Sequence, residues 1–302
     1  MNPALPKIAA VFATMNRGHV AVACVKALAA QTAPPWKVII ADNCSSDGTA
    51  AVLEALLALP FGLTVLRMPE NEGNAGGVRA AMDLAFAEGA DAVWILDDDS
   101  WPRADALAEM LAEPYDDSVI LHPIQIDPAS GRFTWPLQIQ DHGKWKLAFS
   151  MDEMPPGKRT PSRGVWTGAL VSRKIREEVG PVRGELFIRG EDEEYPWRMK
   201  CAGFAHAAVH TAILDHPGPQ GLEMMRFFGK LLFFEKGLPD WKLHYKIRNM
   251  VWLKRRQSGG LKAILTALAY ALAAVRFDGL SRLPLVGKAS LEGWQGKLGR
   301  IS

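Results

Sequence analysis

Cysteine is scarce in this 302-residue sequence, a secretory pattern is missing, and no apolar run is long. The three cysteines, Cys24, Cys44 and Cys201, are scattered in no metal-binding spacing, which fits a reducing compartment. The N-terminus has no basic segment followed by an apolar one, so we expect no signal peptide. The longest apolar run of the C-terminal part has thirteen residues, between Lys262 and Arg276. That is too short to span a bilayer, and we expect a cytoplasmic protein.

Two nucleotide-binding fingerprints are also absent. Neither the dinucleotide-binding motif GxGxxG nor the P-loop motif GxxxxGK[ST] occurs in the sequence. This argues against a Rossmann-type dehydrogenase and against a P-loop enzyme. The composition is that of an ordinary globular protein, with 48% hydrophobic and 23% charged residues. The net charge of +2 hides an uneven distribution, because residues 242 to 302 contain twelve Lys or Arg but only Asp278 and Glu292 as acids. A basic C-terminal part on an acidic body implies an anionic partner surface.

Strand-like and helix-like segments alternate in the first hundred residues. Apolar runs predict strands at residues 7 to 13, 36 to 41, 63 to 68 and 93 to 96, and periodic segments predict helices at 19 to 30, 50 to 59 and 78 to 88. This order predicts an α/β fold with a mostly parallel sheet flanked by helices. Each polar loop between the segments could be only a turn, since Ser, Asp and Gly favour turns and caps.

Three consecutive carboxylates, Asp97, Asp98 and Asp99, end the fourth predicted strand. Ligands bind at the carboxyl edge of such sheets, so these groups would stand over a crevice. Because side chains alternate in an extended segment, we expect Asp97 and Asp99 to share a side and to suit a hard divalent cation. The alternative is a helix start, with Asp99 or Ser100 as its N-cap.

The second half of the chain is less regular. Residues 122 to 161 predict loops and short strands, in which Trp135 and Trp145 could line a sugar site or belong to the core, and residues 151 to 163 could be a mobile loop. A strand at 164 to 172 and a helix at 173 to 179 follow. A last strand at 207 to 214 leads to Asp215 and His216, and the histidine could complete an oxygen-rich metal site.

A second acidic group lies in FIRGEDEEYPWR, residues 187 to 198. Acidic residues favour the first turn of a helix, which would account for Glu193 and Glu194. It accounts less well for Glu191 and Asp192, which follow Gly190 directly.

The motifs, taken together, resemble one family. A TMNR first loop, DNCSSDGT, NEGNAGG, a strand ending in DDD, WTG and GEDE occur in the order seen in family 2 inverting glycosyltransferases of GT-A fold. The resemblance covers about residues 7 to 216. WILDDDS, FIRGEDEEYPWR, LDH and HYKIRNMVWL are most similar to bacterial galactofuranosyltransferases and rhamnosyltransferases, and Tyr245, Arg248 and Asn249 match the last of these elements.

The resemblance implies a donor site with a cation, Mn²⁺ or Mg²⁺. The residues implied to bind the nucleotide or donor are Thr14, Arg17, Asp42, Asn74, Arg79, Asp97 and Asp98. The implied metal ligands are Asp97, Asp99 and His216. One departure, the small residues Ala75 and Gly76 in the third loop, leaves the donor sugar open.

The resemblance also implies an acceptor site. Asp192 matches the catalytic base, and Trp166 and Glu191 match positions near the acceptor. A base that takes the proton of the acceptor hydroxyl while its oxygen attacks the anomeric carbon gives inversion without a covalent intermediate.

These inferences predict a metal-dependent inverting glycosyltransferase of hexosyltransferase type that acts in cell-surface polysaccharide synthesis. We expect a UDP- or dTDP-linked donor carrying galactofuranose or rhamnose, a glycan acceptor that is lipid-linked, and no nucleic acid partner. A sugar nucleotidyltransferase and a non-enzymatic glycan-binding scaffold are the alternatives. Sugar nucleotidyltransferases share an N-terminal GxGxRxxPxTxxxPK pattern, which this sequence does not contain.

The predicted domains are a catalytic domain at residues 1 to 220 and a basic helical region at 221 to 302. Basic clusters flank the apolar residues 261 to 275. This segment predicts either a helix on an anionic membrane surface, on the inner face of the cell membrane, or an ordinary buried helix.

Overall fold

Four parallel strands form the N-terminal half of the main sheet. The computed structural model describes residues 6–112 and 115–301. In the order β3-β2-β1-β4, the strands are β1 (Ile8–Thr14), β2 (Lys37–Asp42), β3 (Gly62–Arg67) and β4 (Ala92–Ile95). Every residue of β1 and β4 is buried, as expected where helices cover both faces of a parallel sheet.

Three helices connect these strands: α1 (Gly18–Ala29), α2 (Thr49–Glu54) and α3 (Gly73–Ala87). The predicted helix at 50 to 59 was too long, because α2 ends at Glu54, and Ala58, shortly before Pro60, has a φ of 55°. Pro60 disfavours helical backbone in the residue before it, Leu59, so a helix could not have continued to the predicted end.

The glycine-rich segment predicted as a loop belongs to helix α3, which begins five residues before the predicted start at 78. A Cβ on Gly77 would lie 2.8 Å from Cβ of Ala13 and 2.8 Å from Nδ2 of Asn43. Glycine is thus what allows the helix to lie this close to β1 and the loop after β2. The low helix propensity of glycine is why the pattern indicated a loop.

The main sheet continues beyond β4 in the order β10-β6-β11-β9-β7-β8, with β5 beside β11. The strands are β5 (Trp101–Pro102), β6 (Val119–Ile126), β7 (Leu137–Asp141), β8 (Lys144–Ala148), β9 (Arg159–Arg163), β10 (Leu170–Ser172) and β11 (Ala205–Asp215). β6 and β11 are parallel, and the other pairs of this part are antiparallel. The α/β class with a mostly parallel central sheet and flanking helices is confirmed.

Several predicted limits in this part were wrong. The predicted mobile loop at 151 to 163 contains a 3-10 turn (Met151–Glu153) and β9, which pairs with β7 and β11. The predicted strand at 164 to 172 is reduced to β10, because Gly164 and Gly168 have φ of 69° and 87° and turn the chain. The alternative of a helix start at Asp99 or Ser100 does not hold, because the next helix is α4 (Ala106–Leu111), which starts after Asp105.

Two further helices complete the main fold, α5 (Arg173–Val179), at the predicted limits, and α6 (Glu191–Cys201). Ser172 caps α5, since its Oγ accepts a hydrogen bond from the Ile175 amide. The core between sheet and helices is apolar and includes Phe12 and Trp94, both fully buried. The indole of Trp94 donates to the Gly168 carbonyl at 3.0 Å, so its one polar atom is satisfied.

The chain divides into two units, one of Met1–Gly184 with Tyr195–Gly218 and one of Glu185–Glu194 with Pro219–Ser302. The outer predicted domain limits, residues 1 and 302, lie outside the described residues. The second unit holds a hairpin and three helices: β12 (Leu222–Phe227), β13 (Lys230–Glu235), α7 (Asp240–Ser258), α8 (Gly260–Phe277) and α9 (Leu283–Gln295).

The sequence did not predict the hairpin, which replaces helix at the start of the C-terminal region. Its turn residues, Phe228 and Gly229, both have positive φ, of 45° and 74°. Asn-Gly or Asp-Gly would have signalled such a turn, but Phe-Gly does not.

Helix α8 is longer than the predicted thirteen-residue apolar run. It has 18 residues, and their mean hydropathy is 1.5. Of these residues, 28% are buried. It is the one helix in the described ranges that could cross a membrane by length and composition. Its length is about 27 Å, close to the roughly 30 Å of a bilayer core, so the prediction that the segment is too short was wrong.

Candidate functional site

The three consecutive carboxylates follow β4 at the carboxyl edge of the sheet. Asp97 to Asp99 lie in a tight turn closed by Ser100, whose amide donates to the Asp97 carbonyl at 3.1 Å and whose Oγ accepts from the Asp97 amide at 3.3 Å. The predicted extended geometry was therefore wrong. The turn nevertheless brings Asp97 and Asp99 to one side and Asp98 to another.

Asp97 and Asp99 meet His216, which follows β11. Nε2 of His216 lies 3.5 Å from Oδ2 of Asp97 and 3.4 Å from Oδ1 of Asp99. One ligand atom from each of the three residues lies within 4.8 Å of the others. Two carboxylates and an imidazole form a donor set that could hold a divalent metal ion.

Neighbouring groups orient these candidate ligands. Nδ1 of His216 donates to the Pro217 carbonyl at 3.0 Å, which leaves Nε2 facing the carboxylates. Thr167 Oγ1 donates to Oδ2 of Asp97 at 2.6 Å. Such outer hydrogen bonds fix the rotamer and tautomer of metal ligands. The sequence motif WTG contains Thr167, but only the fold shows its contact with Asp97.

Ionisation of this cluster is coupled. Burial acts to raise the pKa of Asp97, but hydrogen bonding and charge attraction with His216 outweigh it, and the pKa lies below its usual value. Burial acts to lower the pKa of His216, but Asp97 and Asp99 outweigh it and the pKa is raised. A cation would therefore compete with a proton on His216.

Asp98 faces the end of β1. Its carboxylate accepts from Thr14 Oγ1 at 2.8 Å and from Arg17 Nη1 at 2.6 Å, while Arg17 Nη2 donates to Asp99 at 2.9 Å. Burial raises the pKa of Asp98 to about 6, although Arg17 opposes this. Thr14, Arg17 and Asp98, three residues predicted to bind the donor, thus form one network.

Asp42 lies at the same edge, opposite Thr14 in the pairing of β1 and β2. It is buried, and its Oδ1 accepts from the Ser45 amide at 3.3 Å. The loops after β1 and β2 are joined, because the Asn16 amide donates to Ser45 Oγ at 2.9 Å and Asn16 Oδ1 accepts from the Ser46 amide at 2.8 Å. The fold therefore places Asp42 beside Thr14, at the edge where the loops after β1 and β2 meet.

The third group of predicted donor residues lies on helix α3. Asn74 is in its first turn, and Arg79 is more than one turn further along, 3.8 Å from Asp83. Asn74 thus lies at the helix N-terminus, where backbone N–H groups favour anions such as diphosphate. The structure places Arg79 in an ion pair on the helix surface.

Trp166, predicted to be near the acceptor, is only 4% exposed. Its ring meets Tyr195 edge-on, with centroids 6.0 Å apart. Its indole nitrogen is buried without a hydrogen-bond partner among the described residues. A buried N–H of this kind requires an explanation, and a ligand or water at Trp166 would provide one.

Asp192 and Glu191 begin helix α6, in the part that belongs to the second unit. Glu191 is buried and Asp192 is exposed. Oδ1 of Asp192 accepts from the Gly190 amide at 2.9 Å, which ties the carboxylate to the preceding loop. Of the two, Asp192 has the accessibility that a base acting on an incoming hydroxyl needs.

The fold and the acidic edge together define a class, the glycosyltransferases of GT-A fold. Solved members share the fold. S. aureus TarS 1-349 in complex with UDP gives a TM-score of 0.57 at 15% identity, over 95% of this chain and 80% of that one. The mannosyltransferase PcManGT from Pyrobaculum calidifontis, in complex with GDP-Man and Mn²⁺, gives a TM-score of 0.54 at 17% identity, over 98% of this chain and 76% of that one.

The chain belongs to glycosyl transferase family 2, whose model matches residues 10–180. Galactofuranosyltransferase GlfT1 of Mycobacterium tuberculosis is 31% identical to it over 219 residues, 69% of each chain. The predicted family and the predicted enzyme class are confirmed: this is a glycosyltransferase.

Proposed function

We propose that the enzyme is metal-dependent and inverting, and that it transfers a hexose from a nucleoside diphosphate to a glycan hydroxyl in cell-surface polysaccharide synthesis. The observation that carries the proposal is the cluster of Asp97, Asp99 and His216 at the sheet edge. A divalent cation held there would offset the charge that develops on the leaving diphosphate. Thr14, Arg17 and Asp42 would hold the nucleoside, and Asn74 the diphosphate.

Asp192 is the proposed base. Its carboxylate takes the proton from the acceptor hydroxyl, the oxygen forms a bond to the anomeric carbon, and the bond from that carbon to the diphosphate oxygen breaks. Attack from the face opposite the leaving group inverts the configuration. Glu191 and Trp166 are proposed to contact the acceptor.

Galactofuranose is the favoured sugar and rhamnose the alternative. The relative GlfT1 is named a galactofuranosyltransferase, and the structural neighbour TarS is described with UDP. We therefore favour a UDP-linked donor over a dTDP-linked one.

A panel of nucleotide sugars with Mn²⁺, Mg²⁺ or chelator tests this proposal. Thermal shift reports binding, and released nucleoside diphosphate reports turnover with a glycan acceptor. We expect the largest shift with UDP-galactofuranose and metal. Diphosphate release from nucleoside triphosphate and sugar phosphate would instead indicate a nucleotidyltransferase.

We also propose that the second unit docks on an anionic membrane, on its cytoplasmic face, where a lipid-linked acceptor would be met. One side of α8 exposes four large apolar side chains at helical spacing: Leu261, Ile264, Leu268 and Leu272, which are 48% to 70% exposed. Leu283 and Leu291 of α9 are also exposed, and an apolar groove of about 430 Å³ lies between the two helices.

Basic residues accompany this apolar face. Lys262, Arg276 and Lys288 are exposed on α8 and α9. Arg255 is held by the Trp294 carbonyl and ring, and Arg256 stacks on Trp252 with 5.3 Å to the ring centroid, so these two are engaged within the unit. Attraction to a bilayer would therefore rest more on leucine burial than on charge, since a fully buried leucine contributes about 1.5–3 kcal/mol.

A further inference from the structure

The loop before Asp192 has an unusual backbone. Phe187 and Arg189 have φ of 66° and 63°, and Gly190 has a φ of 147°. Residues other than glycine rarely adopt a positive φ, and such backbone conformations persist only where surrounding groups hold them. Two non-glycine residues of this kind within three positions require a strong external support.

Helix α7 supplies that support through one side chain, Asn249, which is fully buried. Its carboxamide nitrogen donates to the carbonyls of Leu186 at 2.9 Å, Ile188 at 3.1 Å and Arg189 at 2.9 Å. Two amide hydrogens serve three acceptors, so one hydrogen is shared. Nε of Arg248 donates to Oδ1 of Asn249 at 3.0 Å, which fixes the orientation of the amide.

The side chains of the loop are held by the same unit. The ring of Phe187 stacks on Tyr245 of α7 with centroids 4.8 Å apart. Arg189 pairs with Glu235, which also pairs with Lys246 of α7. The loop is thus fixed by both its backbone and its side chains.

Gly190 permits the closest approach. A Cβ there would lie 2.8 Å from Cβ of Asn249. Because the Gly190 amide donates to Asp192 Oδ1, a displacement of the loop would move the carboxylate. Asn249 is thus linked to Asp192 by two hydrogen bonds, one to the Arg189 carbonyl and one from the Gly190 amide of the same peptide group.

We propose that Asn249 is a positioning residue for Asp192: its amide gathers three loop carbonyls and so holds the base in its working orientation. This inference rests on the proposed role of Asp192. A displacement of about 1 Å at a reacting group can lower a rate about 10²-fold, so the expected effect of losing the amide is of that order.

Asn249→Asp is the test variant, because it keeps the shape but replaces both donors with a carboxylate that faces three carbonyls. We expect kcat to fall about 10²-fold, with the UDP dissociation constant and the donor KM within about threefold of the wild type. Asn249→Ser keeps one hydroxyl donor and should have an intermediate kcat. It also serves if the aspartate variant does not fold.

Leu253→Ala is the matched control, since Leu253 is buried on the same helix. It should lower the melting temperature but leave kcat of the folded enzyme near the wild type. Amide hydrogen exchange in a peptide spanning residues 186 to 192 should rise in the Asn249 variants and not in this control.

Three results would overturn the inference: kcat of Asn249→Asp within threefold of the wild type, an equal loss of kcat in Leu253→Ala, or a loss confined to donor KM. Asp192→Asn, assayed in parallel, separates the two proposals. If that variant keeps its activity, the assignment of the base is wrong, whereas the exchange data still report whether Asn249 holds the loop.

Discussion

Charged side chains gather in both units, but they are balanced differently. In the first unit Asp97, Asp98 and Asp99 share one arginine, Arg17, and one histidine, His216. Even with the histidine protonated, negative charge is in excess. Asp97 and Asp99 also remain about a quarter exposed, so a ligand can reach them.

In the second unit one carboxylate, Glu235, is paired with two cations, Arg189 and Lys246. Burial acts to raise the pKa of Glu235, but Lys246 and Arg189 outweigh it, and the pKa lies below its usual value. Burial also lowers the pKa of Lys246 against the attraction of Glu235. Nζ of Lys246 lies 2.7 Å from Oε2 of Glu235, which favours a charged pair, and this cluster has no excess of negative charge for a metal ion to offset.

The comparison separates a ligand site from a structural one. Removing Glu235, the one carboxylate of the second cluster, would leave two partly buried cations without their shared partner and destabilise the fold. Removing one member of a cluster with excess charge relieves repulsion. What the second unit leaves unsatisfied is apolar surface on α8 and α9, which points to a different partner.

The largest expected effect sharpens the comparison within the second unit, where Asp192 and Glu193 are adjacent and both exposed. Asp192→Asn should lower transfer at least about 10²-fold while nucleotide binding persists, because a base acts only as the acceptor attacks. Glu193, which pairs with Lys254 at 3.1 Å, provides the matched control Glu193→Gln, expected within threefold of the wild type. Steady-state kinetics measures both. Retention of more than about a tenth of the rate in Asp192→Asn would move the role to Glu191.

The next prediction compares a substitution of Asp99 in the first unit with one of Glu235 in the second. In calorimetry with UDP, Asp99→Asn should lose the gain in affinity that Mn²⁺ gives, a loss of at least about 10-fold, since even outer-shell changes at metal sites cost that much. Its metal-free melting temperature should not fall. Glu235→Gln should keep the metal effect and lose about 3 kcal/mol of stability. Equal UDP affinity with chelator and with Mn²⁺ in the wild type would contradict the metal role.

The sequence predicted the parts of this site that depend on strand ends. Apolar runs locate strands, and the carboxyl ends of neighbouring strands meet at one edge, so Asp42, Asp97 and Asp99 were placed correctly. His216 was placed with them because it follows the last long strand of the sheet. These are local signals combined with one rule of topology.

Contacts across the fold were not predictable in the same way. The bond from Thr167 to Asp97 and those from Asn249 to the loop join residues about 60 to 70 positions apart, and no local pattern indicates them. The glycines of α3 indicated a loop, but close packing rather than a turn requires Gly77. The motif around Trp166 resembles a position near the acceptor, but only the fold shows that its ring is 4% exposed and packs edge-on against Tyr195.

A smaller effect is expected at the apolar face of the second unit. Replacing Leu261, Ile264, Leu268 and Leu272 by Gln should lower co-sedimentation with anionic vesicles at least about tenfold at both low and high salt, because burial of even one leucine is worth that much. Replacing the exposed residues Lys262, Arg276 and Lys288 by Gln should weaken it only at low salt, because salt screens exposed charges. Leu57, 84% exposed in the first unit, provides the control Leu57→Gln. Equal pelleting of all variants, or none of the wild type, would mean that this face does not meet a bilayer.

The smallest effect concerns buried titratable groups, which again differ between the units. In the first unit burial lowers the pKa of His122 to about 4 and that of His206 to about 3, so both are neutral when folded. The unfolded chain takes up their protons below about pH 6.5, so stability falls as the pH drops from there towards these values. Glu235, with its lowered pKa, loses its contribution only at lower pH, as the pH falls through the usual carboxyl range.

His206→Leu should therefore flatten the acid side of the stability profile. Both ring nitrogens of His206 are buried without a hydrogen-bond partner among the described residues, so leucine removes no bond. At pH 4.5 the buried, neutral His206 lowers the free energy of unfolding by about 2–3 kcal/mol relative to its value above pH 6.5, because each pKa unit corresponds to about 1.4 kcal/mol. When the pH falls from 6.5 to 4.5, the melting temperature of the variant should therefore fall by about 5 °C less than that of the wild type. His142→Gln, a change at a side chain 96% exposed, should leave the profile unchanged. A wild-type melting temperature that is flat over this range would show that these histidines are not held neutral by the fold.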